Sequence, residues 1–312
     1  PSRKPLPCMS VSLAVHDYRL RSSHESFMDD CVREKWVSYQ QACPSKIGIV
    51  EKDKEWGAAY VKKNTTMLVF EDEKTITDKV STFLEECPYG CVAAFHVEYE
   101  DFAGRCFARE KYSRLQSIAN ALQHAKVPSQ EHYVPHVENG LPNLEGVCKK
   151  GGSKEECHKR TLVCLLSRKA RNAVLVGQLC SHVVFTEAEF NIQSRTFSVP
   201  EQSFEEFLSF EGCKHLVALS PSVTSKQLFG SKQKKYILEG VRNFISRHSK
   251  LDGMALFSAA QTQMELLVEF FTEVKADLHR HNIKKVLLAG LHLAMLQLTS
   301  VAYKGYARLL SS

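Results

Sequence analysis

The chain has 312 residues, 44% of them hydrophobic, and a formal net charge of +6 from 41 basic and 35 acidic residues. This length supports one large domain or two smaller ones with hydrophobic cores. The charges of both signs are interspersed, and no nucleic-acid-binding motif accompanies the basic runs, so we expect no nucleic-acid partner. The longest apolar run, residues 286–296, is about half the length of a membrane span, so we expect no span either.

Eleven cysteines are a high count for this length. They form neither a paired CxxC spacing nor a zinc-type cysteine–histidine spacing, so we predict no metal site. We favour disulfides and an extracellular protein, with buried free thiols of a cytosolic protein as the alternative. The chain opens on PSRKPLPC without a signal sequence, which indicates a mature chain or an internal piece of a longer one. It contains the N-glycosylation sequon Asn64-Thr65-Thr66.

The first block of the chain, residues 1–125, contains two strand-like and two helix-like segments. Apolar runs predict the strands, and apolar residues at helical spacing predict the helices. The strands are residues 65–72 and 88–102, and the helices are residues 72–86 and 110–123. Trp36 and Trp56 lie in the irregular part of this block, where packing and the lining of a groove both remain open.

Residues 126–158 contain three prolines and no sustained periodicity, which predicts a linker before the second block, residues 159–312. Strands and helices alternate more clearly in the second block. The strands are residues 161–167, 180–190, 215–222, 252–257 and 284–295, and the helices are residues 234–249 and 261–281. This pattern indicates a parallel α/β sheet, as a barrel or an open doubly wound sheet. No glycine-rich phosphate loop follows a strand, so we predict no nucleotide or other cofactor.

Several segments resemble motifs of family-18 glycoside hydrolases, the chitinases and chitinase-like proteins. YGCVAAFHVEYEDFAGRC (89–106) is similar to the eighth barrel strand and the segment after it, and CSHVVF (180–185) is similar to the second strand. LDGMALFSAA (251–260) stands where the fourth strand carries F-D-G-x-D-x-D-W-E-Y. The resemblance implies a TIM (β/α)8-type barrel that is incomplete or circularly permuted. The motifs run from the end of a barrel to the start of one, so a piece of a tandem-barrel protein and a permuted barrel both remain open.

The fourth-strand segment also bears on catalysis. In the family, a Glu on this strand protonates the glycosidic oxygen, and an Asp two residues before it holds the N-acetyl group of the sugar. The matching positions are Asp252, Ala255, Phe257 and Ala259, so only the first Asp remains. No Asp or Glu lies between Asp252 and Glu265, so a shift of register does not restore the acid. We therefore expect no hydrolysis, and a structural Asp252 that accepts backbone N–H groups.

Glycan-binding candidates follow from the same resemblance. Phe95 stands where the family has the Trp that floors its sugar site, and Phe70 and Asp72 stand in the segment matching its Y-D-D. Glu98 belongs to an acidic cluster that either contacts a sugar or cation or has only capping and solvated roles. Phe257 on the fourth strand completes the candidates. The strand-associated histidines, His96 among them, we expect to be core or rim residues.

The resemblance also implies disulfides. The family pairs the cysteine of its E-I-C segment with the one after D-F-x-G, which corresponds to Cys31 and Cys106. Cys164 and Cys180, on the first and second strands, would form a second pair. Cys148 and Cys157 would close a short loop in the linker.

Three functions are compatible with these features. The first is an inactive, extracellular chitinase-like protein that binds chitin or other N-acetylglucosamine-containing glycans, or a protein partner. The second is a structural or interaction repeat of a large secreted multi-barrel protein without glycan binding. The third is a residual glycosidase whose acid is Glu98 or Glu187. The sequence makes no prediction of the oligomeric state.

Overall fold

The structure is a computed structural model that divides into two compact units. The residues that it describes are 8–27, 29–53, 56–88, 90–106, 110–125, 160–167, 174–220, 223, 228–230, 232–259 and 264–291. The first unit takes the described residues of Pro1–Leu166 and Ala170–Ser181. The second unit takes those of Ser167–Lys169 and His182–Ser312.

The described part of the first unit contains eight strands, five α-helices and one 3-10 helix. The strands are β1 (Cys8–Ser12), β2 (Val15–Leu20), β3 (Cys31–Val37), β4 (Glu51–Lys52), β5 (Ala59–Lys63), β6 (Thr66–Phe70), β7 (Cys91–Phe95) and β8 (Leu162–Leu166). The helices are α1 (Tyr39–Ala42), α2 (Pro44–Ile47), α3 (Glu73–Glu86), the 3-10 helix Val97–Tyr99, α4 (Ser113–His124) and α5 (Val174–Leu179).

Three strands of the first unit form a parallel layer in the order β1-β7-β8. β8 is buried along its whole length and β7 along all but its last residue, as expected for parallel strands that are covered on both faces. Helices α3 and α4 pack against each other, and each buries an apolar stripe at helical spacing.

The other five strands form an antiparallel sheet in the order β3-β2-β6-β5-β4. One face of this sheet is a hydrophobic core, in which strand residues pack with α1 and the chain after β7. Its buried members are Val15, Tyr39, Ala59, Val61, Leu68, Phe70 and Cys106. The sequence predicts only β6 of this sheet, because β2 and β3 are rich in charged residues and have no continuous apolar run.

The described part of the second unit contains five strands and three α-helices. They are β9 (His182–Asn191), β10 (Thr196–Ser198), α6 (Glu201–Leu208), β11 (Lys214–Leu219), α7 (Lys234–Arg247), β12 (Gly253–Ala259), α8 (Met264–Arg280) and β13 (Val286–Leu291). Strands β9-β11-β12-β13 are parallel and lie in that order, while β10 pairs antiparallel with β9. The apolar faces of α7 and α8 are buried, as their sequence periodicity predicts.

The predicted fold class is confirmed. Each unit combines parallel strands with amphipathic helices, the α/β arrangement of an incomplete (β/α)8 barrel. The predicted strand at residues 161–167 corresponds to β8, which belongs to the first compact unit. The linker at residues 126–158 lies outside the described residues, and the division into 1–125, 126–158 and 159–312 stays a prediction. Within the described ranges, no helix has both the length and the apolarity needed to cross a membrane.

The structure contains three disulfides among the described cysteines, Cys8–Cys91, Cys43–Cys106 and Cys164–Cys180. The Cys164–Cys180 bridge is as predicted. The Cys8–Cys91 bridge, which the sequence did not predict, joins directly opposed residues of β1 and β7.

The predicted pairing of Cys31 with Cys106 is wrong. Cys43, between α1 and α2, packs against the core that contains Cys106, and their Cα atoms are 5.1 Å apart. Cys31 is instead a free, exposed thiol at the start of β3. The wrong pairing arose because FMDDC (27–31) was matched to the E-I-C segment of the family, although Cys43 follows twelve residues later. The predicted Cys148–Cys157 pair lies outside the described residues.

Candidate functional site

Asp252 precedes β12 and has the structural role predicted for it. Its carboxylate accepts the backbone N–H of His215 at 2.9 Å, and its own N–H donates to the His215 carbonyl oxygen at 2.7 Å. Its carbonyl oxygen accepts the N–H of Val286 at 2.9 Å. Asp252 thus ties together the chain segments leading into β11, β12 and β13.

The three other motif positions lie along β12. The backbone places Ala255, Phe257 and Ala259 on this strand, whose register with β13 shifts between Leu256 and Ala259. Ala255 is buried between Ala218 of β11 and Leu288 of β13, and Phe257 is half-buried. The strand reads GMALFSA and contains no carboxyl group. A glycosidic bond is cleaved with the help of a carboxylic acid, which β12 does not supply.

The acidic cluster after β7 has mainly internal partners. Glu100 and Arg114 have fully buried side chains and form an ion pair. The carboxylate of Asp101, also fully buried, accepts the N–H groups of Arg105 at 2.8 Å and Cys106 at 2.7 Å. Neither carboxylate reaches solvent. Glu98, in the 3-10 helix, is half-buried.

Two of the glycan-binding candidates make contacts within the fold, and for Phe70 this corrects the prediction. Phe70 is 3% exposed in the core of the antiparallel sheet, with its ring centroid 5.5 Å from that of Tyr39. Asp72 caps α3, because its carboxylate accepts the N–H of Thr75 at 2.7 Å and also pairs with Lys52 at 2.8 Å. Partial burial alone would raise the pKa of Asp72, but the contacts with Lys52 and Thr75 outweigh it and hold this pKa below its usual value. The buried Phe70 ring offers no surface for stacking against a sugar, and a role of Asp72 in glycan binding stays a prediction.

The second face of the antiparallel sheet carries a line of partly exposed side chains. Strand register places Trp36, His16, Val69 and Tyr60 side by side on β3, β2, β6 and β5. Residues that are directly opposed in an antiparallel sheet project to the same face, so these four form one row, which we call the cross-strand row. Trp36 is 46% exposed, and the other three are half-buried.

The Tyr60 end of the row extends further. The Tyr60 hydroxyl donates to Glu51 on β4 at 2.8 Å, and Phe27 stacks on the Tyr60 ring with centroids 5.1 Å apart. From β3 to β4 the surface crosses four interstrand spacings, roughly 19 Å. That length accommodates an extended ligand rather than a single small molecule.

The Trp36 end of the row meets the carboxyl ends of two parallel strands. His96 directly follows β7, and its ring lies edge-on to Trp36 with centroids 4.2 Å apart. The Nδ1 of His96 is 3.0 Å from the hydroxyl oxygen of Ser12, the last residue of β1. Phe95 and Tyr99 lie beside the same ring. Binding sites of parallel barrels form at this end of the strands.

The two histidines of this region have different electrostatic settings. Burial, and secondarily the nearby His16, lowers the pKa of His96 from 6.5 to about 4, so its imidazole is neutral at pH 7. His16 has a carboxylate partner, since its Nδ1 is 2.7 Å from Glu34. That hydrogen bond lowers the pKa of Glu34. Burial raises the pKa of Tyr18, whose ring stacks on His16.

This arrangement is suited to binding rather than to proton transfer. It presents flat aromatic faces with hydroxyl, imidazole and carboxylate groups at their edges, the combination that binds amphipathic rings. The sequence named Phe95 as a candidate and left the role of Trp36 open. It missed His16 and Tyr60 because their neighbourhood depends on strand register. It placed His96 among core or rim histidines, whereas the ring supports Trp36.

No protein-family model and no curated protein matches the chain. Solved structures do match parts of it. An immunomodulatory chitinase of Trichuris suis is 15% identical over 37% of this chain and 35% of its own, with a TM-score of 0.34. A family-18 chitinase of Cycas revoluta in complex with (GlcNAc)4 is 15% identical over 41% and 44%, with a TM-score of 0.34.

A third match is human YKL-39, a pseudo-chitinase described as retaining chitooligosaccharide-binding properties. It is 15% identical over 42% of this chain and 43% of its own, with a TM-score of 0.34. The chain is similar to family-18 chitinases. The similarity covers less than half the length of each of these three structures.

Proposed function

We propose that this protein is an extracellular, catalytically inactive chitinase-like protein that binds N-acetylglucosamine-containing glycans along the cross-strand row. The observation that carries the proposal is the placement of Trp36. Its ring is half-exposed, lies edge-on to His96, and stands at the carboxyl ends of β1 and β7. Sugar rings have apolar faces and polar rims, which match the faces and edges of this row.

The sequence of β12 supports the proposed lack of activity. Ala255, Phe257 and Ala259 occupy the positions where the family resemblance requires carboxylates, and none of them transfers a proton. The remaining acid, Asp252, is bonded to neighbouring backbone. A fluorogenic chitobioside assay is expected to give no turnover above the buffer rate.

Extracellular placement is supported by the disulfides. Three bridges among the described cysteines are unusual for a protein kept in a reducing cytosol. They also fasten both layers of the first unit, since Cys8–Cys91 joins parallel strands and Cys43–Cys106 anchors the core of the antiparallel sheet. Full reduction is therefore expected to weaken glycan binding along with stability.

The binding experiment compares two tryptophan variants. Trp36→Ala removes the exposed ring of the row, and Trp56→Ala removes a 57% exposed tryptophan in the turn between β4 and β5. Titration calorimetry with chitohexaose is expected to show at least a tenfold loss of affinity for Trp36→Ala, about 1.4 kcal/mol, and little change for Trp56→Ala. Tyr60→Ala is expected to weaken binding in the same direction.

Two outcomes would overturn the proposal. If the folded parent protein binds no chito-oligosaccharide, the structural or interaction repeat becomes the better interpretation. If the parent turns over the chitobioside, the protein is a residual glycosidase, and loss of that activity in Glu98→Gln or Glu187→Gln identifies its acid. Near-UV circular dichroism of each variant separates loss of binding from loss of folding.

A further inference from the structure

We propose that Asn64 carries an N-linked oligosaccharide. Asn64 is the only one of the eight asparagines in the chain that is followed two residues later by Ser or Thr. The proposal rests on the extracellular route proposed above, because the modification is made in the secretory pathway. It concerns a covalent glycan on this chain and is independent of any glycan bound along the cross-strand row.

The sequon lies at the tip of a hairpin. Lys63 of β5 pairs with Thr66 of β6, so Asn64 and Thr65 form a two-residue turn. The Thr65 carbonyl oxygen accepts the N–H of Leu20 at 2.8 Å, which fastens the turn to the end of β2. The Asn64 side chain is exposed, so its amide nitrogen is open to an incoming donor.

Turn geometry accounts for Asn64 but not for Thr66. The φ angle of Asn64 is 54°, a left-handed conformation that asparagine tolerates better than most residues. Asn282 supplies a matched case, since it is exposed and has a φ of 57° in the turn after α8. The residue two positions after Asn282 is Lys284, so a left-handed asparagine occurs in that turn without a sequon.

The transfer requires a lipid-diphosphate-linked oligosaccharide, the donor class of the secretory pathway. The Asn64 amide nitrogen bonds to the anomeric carbon of the donor and loses one proton. The bond from that carbon to the diphosphate oxygen breaks, and the lipid diphosphate leaves with the electron pair. No oxidation or reduction occurs, and the hydroxyl at Thr66 provides the recognition element that the sequon requires.

The modified tip lies apart from the cross-strand row. Tyr60, the nearest row residue on β5, precedes Asn64 by four residues, a separation of roughly 13 Å along an extended strand. An oligosaccharide at the tip therefore extends from the end of the hairpin and leaves the row accessible. Glycosylation and glycan binding can consequently be tested separately.

The experiment expresses the full chain behind a cleavable secretion signal in a eukaryotic cell. The signal-cleaved protein, from both medium and cell extract, is digested with peptide-N-glycosidase and mapped by mass spectrometry. We expect conversion of Asn64 to Asp in most molecules and an unmodified Asn282 peptide. Asn64→Asp, which suits the left-handed turn, and Thr66→Ala should abolish the modification, while Thr66→Ser should retain it.

An unmodified Asn64 in signal-cleaved protein overturns the proposal, as does a Thr66→Ala chain that is still modified there. The binding hypothesis has its own result. Asn64→Asp should bind chitohexaose like the parent, whereas Trp36→Ala should lose binding and keep the modification. The two proposals can therefore fail independently of each other.

Discussion

The buried ion pair between Arg114 and Glu100 is expected to be the most sensitive polar contact of the first unit. The Arg114 guanidinium bonds Glu100 at 2.7 Å through Nε and donates to the carbonyl oxygens of Leu13 at 2.8 Å and Glu71 at 3.1 Å. It also lies 3.9 Å from the centre of the Tyr39 ring. One side chain thereby joins the end of β1, the end of β6, helix α4 and the core of the antiparallel sheet.

Arg114→Met should cost about 3–5 kcal/mol of unfolding free energy, because it leaves the fully buried Glu100 carboxylate without its cation. Glu100→Gln should cost a similar amount, because it leaves the buried Arg114 guanidinium without its anion. The double variant Arg114→Met/Glu100→Leu should be less destabilised than the sum of the single changes, by about 1–3 kcal/mol, because no lone charge remains. Exposed pairs differ, so Lys35→Met, which breaks the 3.0 Å contact with Asp17, should cost less than about 1 kcal/mol.

Equilibrium urea unfolding with the disulfides intact measures these differences. Both tryptophans of the chain lie in the first unit, so their fluorescence reports on the unit that contains the ion pair. A loss below about 1 kcal/mol for Arg114→Met would refute this assignment. Strict additivity in the double variant would also refute it, because it would mean that the two groups do not interact.

Three further predictions test other contacts. Burial lowers the pKa of His96 from 6.5 to about 4 in the folded protein, so between pH 6.5 and pH 4 its imidazole binds a proton only in the unfolded chain. Stability should therefore fall as the pH is lowered from 6.5 to 4, and His96→Asn should flatten that slope in urea titrations. Gly253→Ala should destabilise by about 1–3 kcal/mol, since a methyl group there would overlap the backbone carbonyl oxygen of Val286. Cys106→Ser opens the disulfide that closes a loop of 63 residues, which should cost about 4 kcal/mol of unfolding free energy and lower the thermal midpoint. Cys31→Ser removes a free, exposed thiol and should leave the midpoint unchanged.

The sequence predicts the parallel strands well because their own residues specify them. β8 and β12 are short apolar runs, and the intervening helices have apolar residues at helical spacing. The loss of the catalytic carboxylates could also be predicted from the sequence, because the motif positions Ala255 and Ala259 lie within seven residues of Asp252.

The antiparallel sheet could not be predicted in this way, because its stability is shared among strands. β3 reads CVREKWV and is exposed at every position from Cys31 to Trp36, so no burial pattern marks it. Only pairing with β2 shows that Trp36 faces His16, and only the return of the chain at β7 adds His96. The incorrect choice of Cys31 over Cys43 has the same origin, because the distance to Cys106 depends on how α1 and α2 fold back.

The exposure of Trp36 also bears on the choice between a binding protein and a repeat with a purely structural role. A half-exposed tryptophan on an edge strand promotes unwanted association, and natural edges are usually protected by charge. Arg33, Glu34 and Lys35 provide that protection immediately before it. Because Trp36 lies edge-on to His96 and adjoins His16, its ring is held in place before any ligand binds, which is the property that the proposed glycan binding requires.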